Sequence, residues 1–160
     1  MPELTDLKSV ITSGVFEELE SARKQVQENI RNAYKINEYM RGVADTLHTE
    51  KESEGASLWG WTYFENVEKG IPPLIQFAPL RNMGVKQKIY DWSIAKGISF
   101  ESDSKRRSFA YLLRRKILFE GTKMYRSGGR NDIYTPIFNK AIENIENKVV
   151  NAIINTNILK

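Results

Sequence analysis

The chain has no cysteine and a single histidine, His48. Disulfides, thiolate metal sites, a cysteine nucleophile and any site built from two histidines are therefore excluded. The companions open to His48 are carboxylates, Glu50 and Glu52 among them. Such a set ordinarily sits on a solvated hairpin rather than around a metal. No nucleophile-elbow sequence is present, and Gly42, Gly55 and Gly128-Gly129 lack the fixed spacings of a phosphate loop or a dinucleotide fingerprint. Glu65 and Glu68 lie three residues apart, so on a short helix they share a face, the arrangement a carboxylate-based nuclease or glycosidase would use. Ordinary helix polarity explains the same pair, with Lys69 beside it, and no third acid or lysine completes a nuclease pattern. No catalytic residue, cofactor or metal is expected.

Two other clusters remain. Lys105, Arg106, Arg107, Arg114, Arg115 and Lys116 put six positive charges in twelve residues, and Lys123, Arg126 and Arg130 extend the run. On one helix Arg107, Arg114 and Arg115 project roughly together, because seven residues nearly close two turns. The stripe reads either as a phosphate-binding surface or as a polar helix face paired with a neighbour's acids. The second is favoured, since the run lacks the interleaved aromatics of a single-strand groove. Trp59, Trp61, Tyr63 and Phe64 form the other cluster. Alternation along a strand would put Trp59, Trp61 and Tyr63 on one face. They read as core alone, or as core that also feeds a partner surface.

The elements that must position these groups follow from periodicity. Val15, Phe16, Leu19, Ala22, Val26, Ile30, Ala33 and Tyr34 recur at three- and four-residue spacing. That predicts a long helix over 15–37, capped by Ser13 and preceded by a short turn of helix at 4–11. Strands beginning at Thr46 and Ala56 flank the turn Lys51–Gly55 and form a hairpin. Thr62 caps a short helix over 63–69 that Gly70 ends. Pro72, Pro73 and Pro79 make 71–82 an extended loop. Three helices follow. The first, 86–96, turns Ile89, Tyr90, Ile94 and Trp92 inward. The second runs from a cap at Asp103 or Ser104 to Glu120, on the stripe Phe109, Leu112, Leu113 and Ile117. The third starts from a cap at Asp132 and runs to about 155, on Ile133, Ile137, Ala141, Ile145, Val149 and Ile153, widened by Ile142 and Val150. The expected fold is α+β: a long N-terminal helix and several C-terminal helices on a small antiparallel sheet.

At 160 residues the chain is long enough to bury a core without staples, and no linker divides it, so 1–160 is read as one domain. Its ends, Met1–Leu4 and Asn155–Lys160, are expected to be mobile or to order on assembly. No apolar run reaches the length of a membrane span, and Met1–Asp6 does not open a secretory signal. Residues 1–80 carry 8 Lys/Arg against 13 Asp/Glu, whereas residues 81–160 carry 16 against 7. Solvated helix faces produce such asymmetry. So does nucleic-acid contact, or a chain that joins its acidic part to a neighbour's basic part.

The segment Gly60-Trp61-Thr62-Tyr63-Phe64-Glu65-Asn66-Val67-Glu68-Lys69-Gly70 resembles the "G-x-x-Y-a-x-x-V-E-x-G" stretch of tailed-phage head–tail connector and tail-completion (neck) proteins. The proline-bearing loop Ile71–Pro79 is similar too, and the ending Ala110–Tyr134 looks like versions from phages and prophages of gut Bacteroidetes. The motif covers about a dozen residues. Phe64 stands where the family carries a small residue, and segment 83–121 is longer than in the family. The resemblance implies a structural virion protein, with no enzymatic role, located in the neck and in the host cytoplasm during assembly. It implies a closed ring of identical copies between portal and tail, in contact with other neck, portal or tail proteins and leaving a channel for DNA. Subunit contacts would then involve Trp59, Trp61, Tyr63, Phe64, Glu68, Gly70, Arg107, Arg114 and Arg115. Lys105, Arg106, Lys116, Lys123, Arg126 and Arg130 would face passing DNA. The alternative from a different class is a nucleic-acid-binding module that uses the basic 105–130 segment.

Overall fold

A computed structural model describes residues 4–35, 38–73 and 84–155. Among them the order is α1 (Leu4–Ala33), α2 (Glu38–Asp45), β1 (His48–Lys51), β2 (Ala56–Trp59), α3 (Asn66–Lys69), α4 (Val85–Ala95), α5 (Asp103–Glu120), α6 (Lys123–Arg126) and α7 (Thr135–Asn155). The fold is α+β, with a single two-stranded antiparallel sheet among the described residues. Residues 1–3, 74–83 and 156–160 lie outside the described residues, and with them most of the proline loop and of the two tails. Leu4 and Asn155 are helical. No described helix is long and apolar enough to cross a membrane.

α1 is one helix of 30 residues, so Ser13 is not its cap. The apolar stripe begins upstream, where Leu7 and Ile11 are partly covered and Thr12 is buried. Nothing in the packing therefore ends a helix at residue 13, and Ser13 Oγ instead accepts a hydrogen bond from Lys51 Nζ at 2.9 Å. α1 runs antiparallel to α7. Asn29 Nδ2 donates to Ile133 O at 3.0 Å, while nearer the other end Glu18 accepts from Asn144 and pairs with Lys148 at 2.7 Å. α2 is absent from the periodicity reading. Its inward positions, Val43 and Ala44, are too few to register as a stripe, yet both are fully buried.

The hairpin pairs His48 with Trp59, Thr49 with Leu58, Glu50 with Ser57 and Lys51 with Ala56. The turn closes through Glu52 N–H to Gly55 O at 2.9 Å. β1 is tied to α1 because Thr49 Oγ1 donates to the Glu20 carboxylate, which also takes the guanidinium of Arg23. Those two hydrogen bonds hold Glu20 well below its ordinary value of 4.5, at about 2. The core lies where α1, α2, α3 and the start of α7 converge: Val26, Ile30, Val43, Ala44, Leu47, Val67 and Ile133. Tyr34, Phe64, Tyr134, Ile137 and Phe138 pack around it.

α4 and α5 pack on each other. Arg106 lies between them, its guanidinium 5.0 Å from the Phe100 ring centre and its Nη1 donating to buried Ser93 Oγ at 3.2 Å. Ser102, not Asp103 or Ser104, caps α5 by accepting from Lys105 N–H. The buried positions are Ile89, Ser93 and Ala110, whereas Ile94 and Leu112, both expected inside, face outward. Ala33, Ile142 and Val150 are likewise exposed. These sequences are apolar over a wider arc than the protein itself covers.

Ile30→Ala is expected to lower stability by about 2–5 kcal/mol, since a fully buried side chain leaves a cavity. Leu112→Ala, at an exposed position, is expected to stay within about 0.5 kcal/mol of wild type. Denaturant titrations of the two variants check the contrast.

Candidate interaction surface and the Glu68 anchor

The motif segment divides into an exposed part and a buried part. β2 stops at Trp59, so Trp59, Trp61 and Tyr63 do not alternate along one strand. Gly60 follows it, where a Cβ would come within 2.7 Å of Leu47 Cδ2. Trp59 and Trp61 remain 52% and 45% exposed, and Tyr63 is exposed beside them. Trp61 and Tyr63 meet edge to face, with ring centres 6.2 Å apart and planes at 79°. Phe64 turns the other way. It packs on Tyr134 at 4.8 Å and on Phe138 at 6.0 Å, partly buried against the core.

Val67 to Gly70 is built inward. Glu68 is 2% exposed. Its Oε1 accepts from the backbone N–H groups of Ile133 at 2.7 Å, Tyr134 at 2.6 Å and Thr135 at 3.1 Å, and Oε2 accepts from Thr135 Oγ1. Those N–H groups belong to the entry and first residue of α7, where no intrahelical partner exists and the helix dipole is positive. Pro136 follows directly, in the first turn, where the missing N–H costs nothing. Asp132, expected to cap this helix, instead holds Arg130 through two bonds of 2.5 and 2.6 Å. The cap comes from a residue 65 positions away.

Burial pushes the Glu68 carboxyl upward. The Thr135 hydroxyl and the N–H groups of Thr135, Tyr134 and Ile133 outweigh that, leaving it below its ordinary value. The backbone around it is equally committed. Tyr34 Oη donates to Val67 O at 2.6 Å, and Arg130 N–H donates to Glu68 O at 2.9 Å. Ile71 and Thr122 exchange bonds through Thr122 N–H to Ile71 O at 2.9 Å and Ile71 N–H to Thr122 Oγ1 at 3.0 Å. Gly70 has φ +74° with Tyr125 N 2.5 Å from where a Cβ would stand. Gly129, at φ +78°, leaves room for Glu68 O in the same way. Glu68 and Gly70, expected at a subunit contact, are therefore buried inside the chain as internal anchors. Glu65 points to solvent and pairs with Lys69 at 2.6 Å, so the two carboxylates do not share a site. His48 is exposed, 3.4 Å from Glu50. No metal-holding group of three or more His, Cys, Asp or Glu occurs among the described residues.

The basic cluster stays on the surface in part. Arg107 pairs with Asp103 at 2.6 Å, and Arg126 and Lys116 reach Glu120 at 2.9 and 3.9 Å. Arg130 is taken by Asp132, and Arg106 and Arg114 are partly covered. Arg115 extends over the exposed Phe119 ring at 6.0 Å, and Lys105 and Lys123 are exposed. Residues 85–126 still carry 11 Lys/Arg against 4 Asp/Glu, so the positive charge belongs to α4–α6. Residues 127–155 balance at three against three. Sequence periodicity reveals neither the anchor nor this division. The buried Glu in a Val-Glu-x-Gly turn was the available signal for the first.

The chain matches no protein-family model, no curated protein and no solved structure.

Glu68→Gln is expected to destabilise by about 2–3 kcal/mol, because the charge at the helix terminus is lost. The wild-type carboxyls of Glu68 and Glu20 titrate lower folded than unfolded. Their stabilisation is full above the ordinary carboxylate range and is lost as the pH falls, for Glu20 between 4.5 and about 2. Thermal melts from pH 7 to pH 2 should show a steeper acid decline for wild type than for Glu68→Gln.

Proposed function

We propose that this chain is a structural subunit that works by self-association, as part of the neck ring between portal and tail of a tailed bacteriophage. The observation that carries the reading is the use made of the resembling motif. Its Val-Glu-x-Gly turn is spent on holding α3, α6 and α7 together, and its Trp61 and Tyr63, with Trp59 just before the motif, stand on the surface. A motif built this way fits a scaffold that presents a sticky edge, and exposed Trp and Tyr are the residue types that anchor protein contacts. A ring also needs two unlike patches on each subunit. A basic α4–α6 segment, against a hairpin that carries Glu50, Glu52 and Glu54 with Lys51 alone, supplies unlike patches. In the neck the ring would contact neighbouring portal or tail proteins and leave a channel for DNA.

The rival reading, a nucleic-acid-binding module, draws on the surplus of positive charge in α5 and α6. The partial pairing of that charge with Asp103, Glu120 and Asp132 favours the protein contact over a phosphate track.

Sedimentation velocity and electron microscopy of the purified chain and of viral particles test the proposal. Closed oligomers, and location of the chain in the particle neck, are expected. A monomer that is absent from particles overturns it. Trp61→Ala is expected to fold with near-wild-type stability and to weaken assembly. Arg107→Glu with Arg114→Glu, checked for folding by thermal melt, should weaken assembly more than DNA retention, and the opposite order would favour the nucleic-acid module.

A further inference from the structure

α5 and α7 each carry an outward face that nothing among the described residues covers. On α5, Tyr111, Leu112, Arg115 and Phe119 lie on the side opposite buried Ala110, with Leu112 61% exposed. An open depression of about 450 Å³ adjoins it, lined by Lys86, Ser104, Arg107, Ser108, Tyr111 and Leu112. On α7, Ile142, Glu146, Val150 and Ile154 follow one another at four-residue intervals and drift slowly around the helix, with Glu143 alongside. Ile142 is 55% exposed, and Val150 and Ile154 are similar.

The charges on the two faces are opposite. The α5 face holds Arg115 with Lys116 and Lys105 at its margins. The two lysines of α7 lie toward α1. Lys148 pairs with Glu18, and Lys140 borders the cleft that Glu18 lines. Glu143 and Glu146 are left on the outward side, so a helix that is neutral overall presents an apolar, acidic face. The helices are also of matching length, 18 and 21 residues, or about 27 and 31 Å at 1.5 Å per residue.

Resting on the ring reading, we propose that the α5 face of one copy docks on the α7 face of the next. Like-to-like contact is disfavoured, because α5 on α5 brings Arg115 and Lys116 against their own kind and α7 on α7 does the same for Glu143 and Glu146. Pairing unlike faces places acid against base around an apolar centre. When each copy turns its α5 face to one neighbour and its α7 face to another, the contact is heterologous and propagates from copy to copy, and it closes into a ring where the rotation between copies permits.

The chain lacks cysteine, so single cysteines report this contact directly. Chains carrying Leu112→Cys and chains carrying Val150→Cys are mixed and treated with a short bismaleimide. A cross-linked dimer is expected in the mixture, with far less in either chain alone. Arg115→Glu and Glu146→Arg are each expected to weaken self-association about tenfold or more, and the double charge swap to recover most of it. Circular dichroism confirms folding, which these exposed positions do not threaten. Wild-type oligomers that persist unchanged in both single variants, without the mixed cross-link, overturn this pairing and leave the ring reading standing. Loss of DNA retention in Arg115→Glu with self-association unchanged assigns the α5 face to nucleic acid and also overturns it. A wild-type chain that stays monomeric at all concentrations removes the ring reading and this contact together.

Discussion

A helix that begins inside a protein has N–H groups pointing at nothing, and at the start of α7 three of them lie where the core closes over Ile133. Water cannot satisfy them there, and the local acid, Asp132, is engaged with Arg130. One carboxylate from the far side of the core meets all three. Glu68 thereby fixes the angle at which α7 leaves the core, and its own backbone binds Arg130 N–H, so the turn before α7 is held from both sides. The glycines at 70 and 129 follow from the same constraint, since side chains there would push away the groups that bring Glu68 into position. The contact spans 65 residues of sequence, so closing it carries a loop-closure entropy cost that the buried bonds offset.

The elements themselves are legible from periodicity where packing and pattern coincide. The hairpin, α5 and α7 stand close to where apolar spacing and turn residues put them, whereas α1 runs from Leu4 to Ala33 rather than over 15–37. Legibility fails wherever a residue's partner is remote. Asp132 sits at the expected distance before an apolar run, and nothing local reveals that Glu68 has replaced it. Ser13 looks like a cap until Leu7, Ile11 and Thr12 are seen to be covered by neighbours. Leu112, Ile142 and Val150 illustrate a different failure. Periodicity finds the apolar arc correctly, but it does not say how much of that arc the chain covers with its own elements. The excess arc is information of another kind, because a wide stripe with an uncovered margin marks the surface available to something else.

Charge shows the same distinction. Counted along the sequence, the chain has an acidic first part and a basic second part. Folded, the basic surplus is confined to α4–α6, while α7 directs its lysines toward α1 and its glutamates outward. A helix that reads as part of the basic half therefore contributes an acidic face. Pairwise ion bridges on these exposed surfaces add little to stability, and rearranging them costs little.

Anchor and surface are mechanically linked through α7. The helix that ends on Glu68 is the helix whose outward face carries Ile142, Glu146 and Val150, and its pose on α1 is set at one end by that carboxylate and farther along by Glu18 with Asn144 and Lys148. Disturbing the carboxylate loosens the fold and shifts the pose of that face. Disturbing an exposed residue on the face leaves the fold intact. The two classes of change separate a residue that builds the surface from one that belongs to it. In this protein the motif builds the fold at Glu68 and leaves Trp61 exposed, with Trp59 exposed just before it.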